Sequence, residues 1–446
     1  MATQVATSFY NRLADEFETK HQFTQDTAAT DRLTQLRNNA FSTFKAKGFP
    51  SIKEEDWRFT NLVPFLDSSF DVHPAGIDTD SLQQAINEQK IPGLDTYQLV
   101  LVNGSIRMDL SDLPTEDLMT VQPLRNIINE SFFIDHISNN SHVGVNALLA
   151  LNTAFFSDGY FVEVKKNIVV DKPLLILHLY TSDKDAFFQP RHFIVVNRNA
   201  KAEIIERSAG IRDETITLTN SVLELLIQEN AHLIHHTIQS HTNNERWLHY
   251  NHVDQQRNSR YDNFTCTLPG ADLVRNNLEI SLNGTATETH LYGLYLVADH
   301  QLTDNHTAIQ HLHPSCQSNE LYKGVIMDTG KAVFNGKVFV AQDAQQTNAY
   351  QQNNNLLLSD KAQVYAKPQL EIFADDVKCS HGCTIGQFNP ESLFYLRSRG
   401  ISETAARKLL VEAFAFDVTE KIDNEAVKQY VQQLIYSKLS SASVRA

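Results

Sequence analysis

A short motif of turn residues, a small residue and an alternating strand recurs through the middle of the chain. It appears as RNAKAEII from Arg198, ENAHLIHH from Glu229, PGADLVRN from Pro269, NGTATETH from Asn283, TGKAVFNG from Thr329 and SDKAQVYA from Ser359. Several intervals between the copies are about 30 to 40 residues, and no helical pattern separates them. Such a repeat is typical of a β-solenoid, in which each coil buries its apolar side only against the next coil. A β-sandwich of short strands is the alternative that the pattern leaves open.

A segment rich in Gln and Asn, AQDAQQTNAYQQNNNLLLS, follows at residues 341–359. This composition can indicate a disordered polar tract. The tract is short, however, and it runs directly into three leucines. We therefore interpret it as polar side chains stacked along a solenoid.

Both ends of the chain have helical patterns. Phe9, Leu13 and Phe17 recur at a spacing of four, which predicts an amphipathic helix near the N-terminus. Near the C-terminus, Ser402 is predicted to cap one helix and Asp423 a second. Two amphipathic helices after a β-rich body are either a lid over the end of the solenoid or a docking module for another protein.

The charge and cysteine content restrict the class of protein. Fifty-three acidic and 38 basic side chains give a formal charge of −15 at pH 7, which argues against a general affinity for nucleic acid or anionic membranes. The N-terminal stretch has no basic region followed by an apolar core, so we expect a cytoplasmic protein. Four cysteines are too few for a disulfide framework. We expect all four to be thiols, with Cys266 and Cys316 buried as small apolar side chains.

Motifs for several enzyme classes are absent from the sequence. TGKA at Thr329 resembles part of a phosphate-binding loop, but it lacks the upstream glycine and has Ala332 where Ser or Thr binds magnesium. The chain also has no Gly-x-Ser-x-Gly elbow and no His-Glu-x-x-His helix. The sequence therefore does not indicate an ATPase, a serine hydrolase or a zincin.

Histidines are concentrated in residues 232–241 and 304–316. The second segment contains four nominal metal ligands, namely His306, His311, His313 and Cys316. Their irregular spacing in strands and turns is more typical of hydrogen-bonded structural histidines, which is the interpretation we favour.

The segment ADDVKCSHGCTIGQ, residues 374–387, places Cys379, His381 and Cys383 at alternate positions. Alternate side chains of a strand share a face and lie about 6 to 7 Å apart. That spacing is wide for one zinc ion, and a disulfide between the two cysteines would require a turn, which Gly382 permits. An iron-sulfur cluster fits better if a partner supplies further ligands, since such clusters bind thiolates and sometimes imidazole. The alternative is a strand end without a ligand.

The same segment carries a resemblance to a known family. Residues from Asp304 to about Val418, and KPQLEIFADDVKCSHG most specifically, resemble the SufB/SufD family of the Suf iron-sulfur cluster assembly machinery. Weaker similarity in EEDWRFTNL and LNTAFFSDGYFVEV extends it over most of the chain, and LFYLRSRGIS favours the SufD branch. The resemblance implies a right-handed parallel β-helix at 126–390, between a mainly helical domain at 1–125 and a helical domain at 391–446.

The resemblance also implies partners and a site. It implies pairing with SufB through the β-helix, binding of the SufC ATPase by the C-terminal helices, and possible homodimers. A nascent iron-sulfur cluster would form at the SufB interface, with His381 as a ligand and Cys379 beside it, and the chain would hold no cofactor of its own. The family usually has alanine at the position of Cys383, so we favour Cys383 as an inert side chain that fills space inside the coil. Such a protein is a scaffold and not an enzyme.

Two other classes of protein are alternatives. A polysaccharide-acting β-helix enzyme, a lyase or a hydrolase, could use Asp375 and Asp376 as its acid pair. Adjacent residues of a strand point to opposite faces, however, which places this pair poorly around one bond. A zinc-binding structural protein would retain stoichiometric zinc.

Overall fold

The computed structural model describes residues 2–21, 28–72, 79–139, 146–211 and 214–441. The α-helices in these ranges are α1 (Ala2–His21), α2 (Ala28–Lys47), α3 (Thr79–Gln89), α4 (Ser131–Asn139), α5 (Ala147–Phe155), α6 (Pro390–Ser398), α7 (Glu403–Thr419) and α8 (Glu425–Ser441). No helix within these ranges is both long enough and apolar enough to cross a lipid bilayer.

The strands occupy most of the chain between the two groups of helices. They are β1 (Tyr97–Val102), β2 (Ser105–Ile106), β3 (Met119–Pro123), β4 (Tyr160–Val164), β5 (Leu174–Tyr180), β6 (Ala186–Phe188), β7 (Arg191–Val196), β8 (Lys201–Gly210), β9 (Thr217–Ile227), β10 (His232–Gln239), β11 (Glu245–Gln255), β12 (Arg260–Thr267), β13 (Leu273–Leu282), β14 (Glu288–Val297), β15 (Leu302–His311), β16 (Gln317–Ile326), β17 (Lys331–Val340), β18 (Thr347–Leu357), β19 (Gln363–Ile372) and β20 (Val377–Gly386).

Successive long strands alternate between two sheets. Sheet I has the order β2-β1-β5-β8-β10-β12-β14-β16-β18-β20, and sheet II has the order β3-β4-β7-β9-β11-β13-β15-β17-β19, with β6 also paired to β9. Apart from the antiparallel pairs β1–β2 and β3–β4, neighbouring strands are parallel. Each coil therefore contributes one strand to each sheet, and about eight coils stack along one axis. The predicted parallel β-solenoid with flanking helices is confirmed, and the alternative β-sandwich is wrong.

The turns explain why the sequence repeat is visible. Asn167, Asn199, Asn230 and Asn258 occupy corresponding turns of successive coils, and each has a positive φ, between 56° and 62°. Asparagine tolerates this left-handed conformation better than most residues. The amides of Asn199, Asn230 and Asn258 each donate a hydrogen bond to the asparagine one coil below, over 2.7 to 3.1 Å. The small residue that follows, such as Ala200, is buried in the core.

The Gln- and Asn-rich segment is an ordered strand. β18 begins at Thr347, and its inward side chains Gln351, Asn353 and Asn355 are at most 3% exposed. The Asn355 amide donates to the Asn353 carbonyl oxygen over 2.7 Å, and the Asn353 amide donates to the Tyr295 hydroxyl over 3.0 Å. The predicted stacking of polar side chains inside the solenoid is confirmed.

Helices cover the outer faces of both sheets. Phe9, Leu13 and Phe17 of α1 are buried in a cluster with α2, α5 and the outer face of sheet II, as their spacing predicts. On the other side, α7 and α8 bury an apolar stripe against outward side chains of sheet I, including Phe264 and Leu296. The C-terminal helices therefore lie along the side of the solenoid. The interpretation of these helices as a lid over its end is wrong.

Polar contacts fix the C-terminal helices to the sheet. Lys323 of β16 donates to the Asp417 carboxylate over 2.6 Å and lies 4.4 Å from the centre of the Phe414 ring. Ser402 caps α7 as predicted, since its hydroxyl accepts the Ala405 N–H. The predicted cap of α8 is wrong by one residue, because the Val427 N–H bonds to the Asn424 side chain and not to Asp423.

The predicted domain limits can be located on these elements. The limit at 125/126 lies in a short 3-10 turn, Leu124–Asn126, and the limit at 390/391 lies at the start of α6. Strands β1 to β3 precede the first limit, although β1 pairs with β5 of the solenoid, and helices α4 and α5 follow it.

Candidate functional site

The Cys-x-His-x-Cys segment is the last strand of the solenoid. Within the described part of the chain, β20 pairs with β18 on one edge and has no strand on the other. The register aligns Cys379 with Ala349 and His381 with Gln351. Both partners are buried inside the solenoid, at 0% and 2% exposure. Cys379 and His381 therefore face the interior at the end of the solenoid, where no further coil covers them.

The two side chains differ in their surroundings. Cys379 is partly buried and packs against the apolar cluster that contains Ala349 and Val340. This burial raises the pKa of the Cys379 thiol above its ordinary value, and a hydrogen bond with the Ala349 backbone opposes part of that effect. His381 is exposed to solvent. The chain by itself therefore presents a protonated thiol and an accessible imidazole on one face.

Cys383 is the third inward position of the strand, aligned with the buried Asn353. Its side chain is exposed, so it does not fill space inside the coil as we expected, because no coil in the described ranges lies above it. β20 also continues straight through Gly382, so this glycine makes no turn. Four residues of extended strand separate the sulfur-bearing residues by about 13 Å, which excludes a disulfide between Cys379 and Cys383.

The segment supplies an incomplete set of metal ligands. Among the residues that the structure describes, no group of three or more His, Cys, Asp or Glu side chains is arranged to hold a metal ion. The zinc-binding alternative therefore gains no support from the described geometry. One thiol and one imidazole on a common open face fit a site that a second protein completes.

The other histidines are hydrogen-bonded parts of the solenoid. His235 bonds to Glu206 over 2.8 Å, and His311 bonds to Ser318 over 2.9 Å. Both histidines are completely buried. Burial lowers the pKa of His311 to about 4, so this ring is neutral. The predicted structural role of the histidine-rich segments is confirmed for these residues, and Cys266 and Cys316 are buried thiols as expected.

The paired aspartates suggested for a polysaccharide-acting enzyme lie in the connection between β19 and β20. Asp375 and Asp376 are both exposed. The Asp376 backbone N–H donates to the Gln345 side chain over 2.8 Å, which makes this residue part of a turn. No feature of this geometry favours an acid pair.

Sequence motifs did not indicate a polar pair inside the solenoid below His381. Gln351 donates its amide N–H to Glu320 over 2.8 Å, and Thr307 donates its hydroxyl to the same carboxyl group over 2.6 Å. Glu320 is 1% exposed, and burial raises the pKa of its carboxyl to about 7. The alternation of polar residues in the Gln- and Asn-rich segment was the available signal, but it does not identify Glu320.

A second accessible feature lies between the C-terminal helices. An open groove of about 770 Å³ is lined by α7 and α8. Three of its large side chains, Leu409, Phe416 and Tyr436, are between 44% and 59% exposed. Glutamines of α8 form its polar side. Exposed apolar side chains grouped in a groove are typical of a protein-binding surface.

Comparison with protein families matches nearly the whole chain. Residues 7–176 match the family model of the SufBD protein N-terminal region. Residues 178–414 match the model of the SufBD core domain of the SUF system of FeS cluster assembly. The second model covers strands β6 to β20, helix α6 and the first part of α7.

Individual relatives agree with these models. An iron-sulfur cluster assembly SufBD family protein of Synechocystis is 33% identical, over 90% of this chain and 90% of its own length. The iron-sulfur cluster assembly protein SufD of Escherichia coli is 32% identical, over 88% of this chain and 90% of its own. The chloroplastic protein ABCI7 of Arabidopsis thaliana is 30% identical, over 89% and 84%. This chain therefore belongs to the SufBD family of iron-sulfur cluster assembly proteins.

Proposed function

We propose that this chain is a non-enzymatic scaffold subunit that forms a cytoplasmic complex with SufB and the SufC ATPase. In this complex Cys379 and His381 contribute ligands to a nascent iron-sulfur cluster, which is cargo and not a resident cofactor. The observation that carries the proposal is the position of both side chains on the inward face of the last, uncovered strand.

The uncovered end of the solenoid supports pairing with SufB. β19 and β20 are the last strands of their sheets, and most of their side chains are exposed or partly exposed. Unpaired strand edges bind other strands, and proteins usually protect them when they have no partner. A second solenoid that docks on this end would bury the apolar side chains Ile372 and Ile385, which are 38% and 50% exposed.

The incomplete ligand set supports transfer of the cluster. A cluster held by all its ligands from one chain is retained, whereas a cluster shared between two chains is released when they separate. Movement of the two subunits would come from a partner, because this sequence lacks a phosphate-binding loop of its own. The apolar groove between α7 and α8 is the surface that we assign to SufC.

The test is anaerobic cluster reconstitution in the complex of this chain with SufB and SufC. His381→Ala removes the exposed imidazole, and we expect a large loss of bound iron and of cluster absorbance. The matched control is Ser380→Ala, which changes the neighbouring exposed side chain of the same strand on the opposite face. If His381→Ala binds as much cluster as the control and transfers it equally well, the ligand role of His381 is refuted.

A further inference from the structure

The side chain of Gln351 is held in one orientation inside the solenoid. It is 2% exposed. Its Nε2 donates to Glu320 Oε2 over 2.8 Å, and Glu320 Oε1 accepts the Thr307 hydroxyl over 2.6 Å. In its ionised form the Glu320 carboxylate accepts hydrogen bonds and donates none, so it selects the nitrogen of the Gln351 amide and turns the oxygen away.

The carbonyl oxygen of this amide has no hydrogen-bond partner. Gln351 Oε1 is completely buried and has no hydrogen-bond partner among the residues that the structure describes. A buried acceptor without a partner costs about 1 to 3 kcal/mol, so such atoms are rare in folded proteins. In the register of sheet I, Gln351 lies between Glu320 on β16 and His381 on β20. The next residue after Gln351 in this register is therefore His381, whose ring carries an N–H donor.

The opposite sheet leaves space for this amide. Gly336 of β17 faces Gln351 across the interior, and a Cβ at this position would lie 2.4 Å from Gln351 Nε2. A contact that short does not occur between real atoms, so any larger residue would displace the amide. In the coil below His381, the Glu320 carboxyl group therefore binds the Gln351 amide, and the absence of a side chain at Gly336 leaves room for it.

We propose that Gln351 is a positioning residue for His381: when the exposed ring turns toward the coil below, its N–H donates to the unpaired amide oxygen. Glu320 fixes the orientation of the amide. The bond would select one neutral tautomer of the His381 ring and direct the lone pair of the other nitrogen toward the uncovered end of the solenoid. Metal-binding histidines commonly donate their second ring N–H in this way. The proposal deepens the proposed function, since it rests on His381 as the ligand.

The first test measures the tautomer of His381 without any cluster. In the chain labelled with ¹⁵N-histidine, with the resonance assigned by His381→Gln, we expect one dominant neutral tautomer. Gln351→Leu removes the acceptor, and the ring should shift to the mixed tautomers of a solvated imidazole. The matched control is Asn353→Leu, which removes a buried amide of the same strand two residues away.

The tautomer measurement overturns the proposal in two cases. One is that wild type and Gln351→Leu give the same tautomer populations. The other is that Asn353→Leu changes them as much as Gln351→Leu, because the effect would then be general loosening of the coil.

The second test separates this proposal from the function on which it rests. Loss of a residue that hydrogen-bonds to a metal ligand typically weakens the metal site about 10-fold to 100-fold, so we expect the Gln351→Leu complex to bind the cluster at least 10-fold more weakly. If His381→Ala lowers cluster retention and Gln351→Leu does not, the positioning role fails and the ligand role stands. If His381→Ala has no effect on retention, the ligand role fails, and with it the positioning of a ligand.

Discussion

Replacement of Glu320 by glutamine should make the protein more stable, and increasingly so as the pH rises. Glu320 is buried between Thr307 and Gln351, and burial raises the pKa of its carboxyl from an ordinary value of 4.5 to about 7. The folded state therefore binds a proton more tightly than the unfolded state. Stability is not affected below pH 4.5, falls as the pH rises from 4.5 to 7, and stays reduced above that range.

The size of the effect follows from the two pKa values. A difference of one in pKa between the folded and unfolded states changes the free energy of unfolding by about 1.4 kcal/mol. The ionised side chain therefore lowers the stability by about 3 kcal/mol above pH 7. At pH 5 the cost is about 1 kcal/mol. Glutamine has the same shape and does not ionise, and the Thr307 hydroxyl can accept as well as donate a hydrogen bond.

The assay is the free energy of unfolding of wild type and Glu320→Gln from urea titrations at pH 5 and pH 8. We expect the advantage of the variant to grow by about 2 kcal/mol between these two values. Glu371→Gln, which changes an exposed carboxylate on the last coil, is the control and should give a difference that hardly depends on pH. An advantage of Glu320→Gln that is equal at pH 5 and pH 8 would mean that ionisation of Glu320 does not destabilise the folded state.

Three further outcomes follow from other parts of the solenoid. Glu206→Gln removes a buried carboxylate whose hydrogen bonds to two histidines keep its pKa low, and urea titration at pH 7 should find a loss of about 3 kcal/mol. Asn230→Ala breaks the asparagine ladder at a positive φ and should lose about 1 kcal/mol in the same assay, whereas Asn230→Gly should lose less. In native thiol labelling followed by mass spectrometry, both thiols of β20 should react, while Cys266, whose pKa burial raises to about 12, should react only after unfolding.

The solenoid could be predicted because its signals are local. A turn residue that tolerates positive φ, such as Asn199, and the small buried residue after it, such as Ala200, are adjacent in sequence and recur in each coil. Alternation along β20 likewise places Cys379 and His381 on one face. These features need no knowledge of distant contacts.

The remaining features depend on contacts between distant residues. Gln351 and Glu320 are 31 residues apart, and their pairing requires the register of β16 and β18. The position of α7 along sheet I depends on contacts such as Lys323 to Asp417, which are 94 residues apart. Cys383 is exposed because β20 is the last strand of sheet I in the part of the chain that the structure describes, which a local pattern does not encode.

In the proposed complex, His381 binds a cluster that is shared with another protein. The most direct measurement is electron-nuclear double resonance on the reduced cluster, in a complex assembled from this chain labelled with ¹⁵N-histidine and from unlabelled SufB and SufC. We predict a ¹⁵N hyperfine coupling typical of a directly bound imidazole, which His381→Ala abolishes. A cluster signal of normal intensity without ¹⁵N coupling would show that His381 is not a ligand of the cluster.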